Sequence, residues 1–311
     1  MTSVAKDRSL LTKFAWLSVG AAILTIVIKS YAYVLTGSVG LLSDAVESLV
    51  NLFGAFMALG MLSIAARPAD EDHSYGHSKA EYFSSGVEGM LILIAALSIG
   101  AAAVERLLNP KPIEQMGLGL LVSVGASVIN FGTALIIKRA GKKYNSITLE
   151  ANARHLMTDV WTSAGVLLGV GAVVVTGWIQ LDAIVAIIVA LNIIWSGYGI
   201  VRKSVEGLMD IALSKEDRET VEKILQAYTS TEITFHALKT RQAGSRKFVS
   251  VHVIVPGGWT VNKGHQFLEK IEDGIRSAIS NATVFTHLES SDDPSSWDDI
   301  ELDRIDRSNL S

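Results

Sequence analysis

Six apolar runs of about 20 residues each fill the first two thirds of the chain, near 13–35, 41–65, 84–107, 116–138, 148–176 and 181–203. A helix rises about 1.5 Å per residue, so each run is long enough to cross the ~30 Å hydrocarbon core of a bilayer. Lipid offers the backbone no hydrogen-bond partners, and helices that satisfy themselves are the structure these runs require. The bulk composition agrees, with 49% hydrophobic residues, 19% charged residues and a mean hydropathy of +0.36. The runs predict an integral membrane protein lying in the lipid bilayer, with residues 1–12 as a short N-terminal segment and 13–207 as a six-helix transmembrane domain. The lead-in MTSVAKDRSLLTK enters the first run without a small-residue cleavage site, which is the pattern of a first membrane helix rather than of a removed signal. A net charge of −4 argues against nucleic acid as a partner. With no cysteine, disulfides, thiolate metal sites and cysteine nucleophiles are excluded, and any metal chemistry must use His and carboxylates.

Basic residues orient the bundle. Lys6, Arg8, Lys13, Arg67, Lys79, Lys138, Arg139, Lys142, Lys143, Arg202 and Lys203 fall on the side of the termini, whereas the opposite loops offer chiefly Arg106 and Lys111. Both termini are therefore expected in the cytoplasm. The tight connections TGSVG (36–40) and GWIQ (177–180) predict antiparallel hairpins of spans one and two, and of five and six. The spacing of Gly165 and Gly169 suits close helix packing.

From about residue 208 the composition is that of a water-soluble domain, 208–290. Ser214 followed by Asp217 opens an amphipathic helix with a capping-box-like start. ITFHALKTRQ and RKFVSVHVIV alternate with period two around AGS at 243–245, the pattern of a β-hairpin. A second helix and a third strand complete the order αββαβ, a small α+β sheet with both helices on one face. Residues 291–311 are acidic and polar and are expected to form a mobile tail.

Ionisable residues interrupt the apolar runs. In the fifth, His155 and Asp159 stand four apart on one helical face, the spacing at which both can hold one metal ion. In the second, Asp44, Glu47 and Asn51 form a polar stripe on an otherwise apolar helix. A carboxylate in mid-membrane costs several kcal/mol on most estimates and is retained where a partner or a function compensates. Two such stripes facing each other would build a four-ligand site; hydrogen bonding from helix to helix is the alternative. Glu88 in the third run has the same two readings, relay or helix tie. The loop between spans two and three holds Asp70, His73 and His77 at ligand-like spacing, with Gly76 permitting a turn. About a hairpin turning at Gly244, His236 and His252 are equidistant and face each other across the strands. His265 on the second soluble helix, with His287 and Glu289 on the third strand, completes a third cluster.

On LLSDAVESLVNL, HSYGHSKAEYF, HLMTDVWTS, HALKTRQAG and VHV, the chain resembles the cation diffusion facilitator family, similar to its bacterial zinc and iron exporters, from about residue 10 to 290. The resemblance implies a transport site of Glu47, Asn51, His155 and Asp159, a loop site of Asp70, His73 and His77, and a cytoplasmic site of His236, His252, His265, His287 and Glu289. It further implies ferredoxin-like soluble domains paired in a homodimer, an interlocking charge pair of Lys79 and Asp210, and a bacterial inner membrane as location. The familiar zinc pattern carries two aspartates in span two, where this chain has Glu47 and Asn51. Glu47 and Asp159 then give a site charge of −2 that one divalent ion neutralises, and the neutral amide is expected to weaken binding or alter ion preference. Asp44, one turn away, is a possible auxiliary ligand.

Metal needs deprotonated carboxylates and neutral imidazole, so protons compete for the same lone pairs. The expectation is divalent cation efflux by metal/proton antiport with alternating access, for zinc first, Fe²⁺ next, and Co²⁺, Cd²⁺ or Mn²⁺ after. The alternative is a membrane-bound metal sensor or assembly platform with weak transport. An enzyme is not expected, since the chain has no HExxH, GxSxG or GxxxxGK.

Overall fold

The computed structural model describes residues 3–36, 39–109, 118–178 and 180–298, in two compact units divided after Leu208. Among the described residues the first unit consists of α1 (Ser3–Thr36), α2 (Val39–Ala65), α3 (Ala80–Leu108), α4 (Leu118–Tyr144), α5 (Ile147–Thr176) and α6 (Gln180–Leu208). Most of these helices run beyond the apolar stretches, because the first and last turns continue into water where polar residues are free to join them.

Two apolar cores organise this unit. Leu11 and Ala15 of α1, Leu62 of α2, Ile137 of α4 and Leu149, Ala153 and Leu156 of α5 form one. Ile92 and Ala96 of α3, Ala151 of α5, and Ile193 and Ile200 of α6 form the other. Helix α5 thus belongs to both cores, and Thr148, Asn152, His155 and Thr158 on it are buried in protein. Small residues bring helices close where lipid offers no hydrophobic drive between them. A Cβ at Gly165 would stand 2.9 Å from Val189 of α6, and one at Gly89 of α3 would stand 2.8 Å from Val201 of α6. Gly165 therefore serves the packing expected of it, whereas the surroundings of Gly169 lie outside the described residues. The link between α4 and α5 is tight: Asn145 takes a positive φ of 50°, and Ser146 N–H donates to the Gly141 carbonyl at 2.9 Å, closing the end of α4.

The second unit has the expected order, α7 (Lys215–Tyr228), β1 (Thr234–Ala243), β2 (Arg246–Val255), α8 (Val261–Ala278) and β3 (Ala282–Ser290). Ser214 caps α7 by accepting the Asp217 N–H at 3.1 Å. Strand β2 lies in the middle, antiparallel to β1 and parallel to β3. Val249, Val251, Val253 and Val255 point to one face and pack with Val221 and Leu225 of α7 and Ile271 and Ile275 of α8. Each such burial is worth about 1.5–3 kcal/mol relative to exposure, so the alternation holds both helices to that face and leaves the even-numbered positions of β2 on the other.

The chain keeps local structure for some residues past β3. Residues 291–298, expected to be mobile, continue as a short 3-10 turn, Pro294–Trp297, in which Asp293 accepts the Ser295 N–H and the buried Ser296 hydroxyl donates to the Ser290 carbonyl at 2.8 Å. Local capping, together with the Ser291 N–H donated to the Val255 carbonyl of β2 at 2.9 Å, outweighs the polarity of the segment. Residues 299–311 lie outside the described residues.

Candidate metal sites in the membrane, the loop and the sheet

Helix α5 carries the membrane stripe. His155 is buried and Asp159 half-buried, one turn apart as the spacing requires. Asn130 of α4 donates its Nδ2–H to Asp159 Oδ2 at 3.0 Å, and the Thr162 hydroxyl donates to the Asp159 carbonyl at 2.9 Å. One turn toward the cytoplasm, buried Asn152 extends the stripe and donates to Glu88 Oε1 of α3 at 3.2 Å, which places Glu88 as a tie between the two helices. A further tie, from the Ser146 hydroxyl to buried Glu81, joins the start of α3 to the start of α5. Asp44, Glu47 and Asn51 occupy α2, but their side chains lie outside the described residues.

The loop cluster is local. Gly76, at φ 80°, turns the chain and donates its N–H to the His73 carbonyl at 2.8 Å. The turn brings Asp70 Oδ1 to 3.1 Å from His73 Nδ1 and Asp70 Oδ2 to 3.2 Å from His77 Nε2. Each of the three offers one ligand atom, all within 4.8 Å of one another. Desolvation pushes the Asp70 carboxyl up. The backbone N–H and ring of His73, with the nearby charge of His77, outweigh that and hold it below its ordinary value.

The sheet cluster is long-range. His236 of β1 pairs with His252 of β2, and His252 with His287 of β3, so three imidazoles form a row across the strands on the face away from the helices. Glu289 lies two residues beyond His287 on the same face, with its side chain only 6% exposed. One Glu289 oxygen stands 2.7 Å from His236 Nε2; the other stands 3.2 Å from His252 Nδ1 and 3.7 Å from His287 Nε2. His236, His252 and Glu289 have ligand atoms within 4.8 Å of one another, whereas His287 is 66% exposed at the end of the row and His265 is exposed on α8, outside the cluster. Trp297 sets its ring edge-on to His236, centroids 5.8 Å apart.

The facing of His236 and His252 has a cause that strand symmetry alone misses. Gly244 and Ser245 form a two-residue turn between the paired Ala243 and Arg246, with positive φ at Gly244. That register, carried on, sets Ala237 opposite His252. A β-bulge between His236 and Lys239 takes up one residue, Ala237 adopts φ 48°, and His236 moves onto His252.

Lys79 Nζ donates to the Leu208 carbonyl at 3.3 Å within the first unit, and Asp210 pairs with Arg241 at 3.2 Å within the second. Asn130, Asn152 and Trp297 were not among the residues the sequence pointed to. A lone Asn in the apolar stretch ASVINFGTALII is the signal for Asn130, by the argument applied to span two. Asn152 precedes His155 by three on the same helical face, and Trp297 carries no local signal.

Residues 15–209 match the cation efflux transmembrane domain, and residues 213–291 match the cytoplasmic domain of cation efflux proteins. An uncharacterised transporter of Synechocystis sp. is 50% identical over 91% of this chain and 92% of that protein. The cation-efflux pump FieF of Shewanella oneidensis is 31% identical over 87% of this chain and 90% of that pump. FieF of Escherichia coli is 27% identical over 89% and 92% of the two chains.

Proposed function

The chain belongs to the cation diffusion facilitator family, a divalent-cation efflux transporter of the membrane with a cytoplasmic C-terminal domain, and from that premise we propose that it exchanges zinc for protons at a site on α2 and α5. The observation that carries this reading is the α5 stripe, a buried His155 and an Asp159 one turn apart with the aspartate held from α4. Glu47 and Asn51 of α2 complete the ligand set, with Asp44 as a reserve carboxylate. Zn²⁺ suits a borderline donor set of imidazole and carboxylate, and Fe²⁺ is the next candidate. Protons and metal compete for those donors, so loading from a neutral cytoplasm and release to a more acidic exterior follow from one equilibrium.

The sheet cluster senses cytoplasmic metal, and the soluble domain pairs two copies of the chain. The loop cluster is a weaker site at the membrane surface. The membrane is the bacterial cell membrane, in keeping with the organisms of the relatives.

The test is metal flux into proteoliposomes under an imposed pH gradient, across Zn²⁺, Fe²⁺, Mn²⁺, Co²⁺ and Cd²⁺. Gradient-dependent flux that disappears in Asp159→Ala and survives His236→Ala/His252→Ala supports the antiporter. A changed ion order in Asn51→Asp makes position 51 the selectivity determinant. Absence of flux with metal still bound by the soluble domain moves the function to sensing.

A further inference from the structure

Asn130 lies near the middle of α4, a helix whose neighbouring residues Val128, Ile129, Phe131 and Ala134 are apolar. It is 5% exposed, so its amide faces protein rather than lipid or water. Burying an amide is costly unless its hydrogen bonds are made. Here the nitrogen is used and the oxygen is not: Nδ2 donates to Asp159 Oδ2 at 3.0 Å, while Oδ1 is buried and has no hydrogen-bond partner among the described residues. The amide nitrogen faces the carboxylate because the reverse orientation would set two oxygens against each other.

The same donor pattern ties Asn152 to Glu88, with the Asn152 Oδ1 likewise orphaned among the described residues. What distinguishes Asn130 is its target, since the carboxylate it holds stands one turn from His155 on α5. Ligating carboxylates are themselves hydrogen-bonded in metal sites, and the partner fixes the rotamer in which the ligand meets the ion. Asp159 is the carboxylate that α5 brings to the transport site, and Asn130 approaches it from a different helix. On the reading of that site given above, we infer that Asn130 is a positioning residue of the transport site: its N–H holds the Asp159 carboxylate for the cation, and its orphaned Oδ1 accepts a hydrogen bond from a water that the bound cation carries in.

The consequence is a cation affinity that depends on α4 as well as on the two ligand helices. Any movement of α4 against α5 would break the bond to Asp159 and weaken the grip on the ion, a route by which helix motion changes affinity between inward and outward states.

The experiment compares Zn²⁺ transport by wild type, Asn130→Ala and Asn130→Ser in proteoliposomes, with KM and kcat read separately and thermal unfolding measured on metal-free protein. Serine keeps a hydroxyl but is too short to reach Asp159, and it serves should the alanine variant fold poorly. The expected result is a KM raised about tenfold or more in both variants, with kcat within about threefold and the metal-free Tm within a few degrees of wild type. An unchanged KM with a lowered Tm would make Asn130 a helix tie and overturn the inference while leaving the transport reading intact. Wild-type protein without Zn²⁺ flux overturns both.

Discussion

The loop and the sheet each gather two histidines around one carboxylate, yet they reach that arrangement by opposite routes. Asp70, His73 and His77 are close in sequence, and a single turn at Gly76 brings them together, with Asp70 and His73 open to water. His236, His252 and Glu289 come from three strands, with Glu289 almost fully enclosed. A local cluster costs the chain little to form and little to lose. The sheet cluster inherits the rigidity of a hydrophobic core on the opposite face, and its buried carboxylate gains from a lower local dielectric. Proximity in sequence makes a site legible, while burial and cross-strand register make it preorganised.

The largest effect expected is at Glu289, which both histidines share. Glu289→Ala should lower the affinity of the sheet site for Zn²⁺ on the order of 100-fold, with one high-affinity equivalent lost in a competition titration of the full-length protein. His77→Ala in the loop should cost about tenfold or less at its own site. Equal losses at the two sites would abolish the distinction between a preorganised and a local cluster.

Next is the bulge. A non-glycine residue in the left-handed region costs roughly 1–2 kcal/mol, and a β-branched one more. Ala237→Val should destabilise the soluble domain by at least about 1 kcal/mol beyond wild type and weaken metal binding by displacing His236. Ala237→Gly should leave binding unchanged and stability equal or up to about 1 kcal/mol higher. Thermal unfolding with and without Zn²⁺ separates these outcomes; a Val variant with unaltered binding would show that the bulge does not position His236.

The smallest effect is the acid response of the loop. Because the folded-state pKa of Asp70 is depressed, its contribution is present above the unfolded value and is lost as pH falls through the lower folded value. The His73 and His77 ring resonances should therefore move with Asp70 below the usual carboxylate range. Resonances that follow an ordinary carboxylate titration instead would mean that the Asp70 contacts do not persist in solution.

Much of the fold is legible in the chain because the solvent is so restrictive. Apolar runs of bilayer length, the side preference of Lys and Arg, and the alternating valines of β2 each answer to one physical demand. The facing of His155 and Asp159 on α5 follows from helical periodicity alone. Less legible are features that need a second element. Asn130 is visible as a polar interruption, but its role depends on which residue of α5 it meets. Trp297 sits in a segment whose composition suggests disorder, and only its packing against His236 gives it a place. His265, grouped with the sheet site on sequence grounds and again by the family resemblance, stands exposed on α8 because the face of a helix that packs on the sheet is decided by the apolar residues around it.

What the sequence determined by itself is therefore the membrane helices, the αββαβ order and the local clusters, all set by interactions within one turn, one strand or one solvent boundary. Tertiary structure alone decided the hydrogen bond from Asn130 to Asp159, the bulge that turns His236 onto His252, and the common carboxylate at Glu289. Each depends on register between segments far apart in the chain, and register is settled by how whole faces pack.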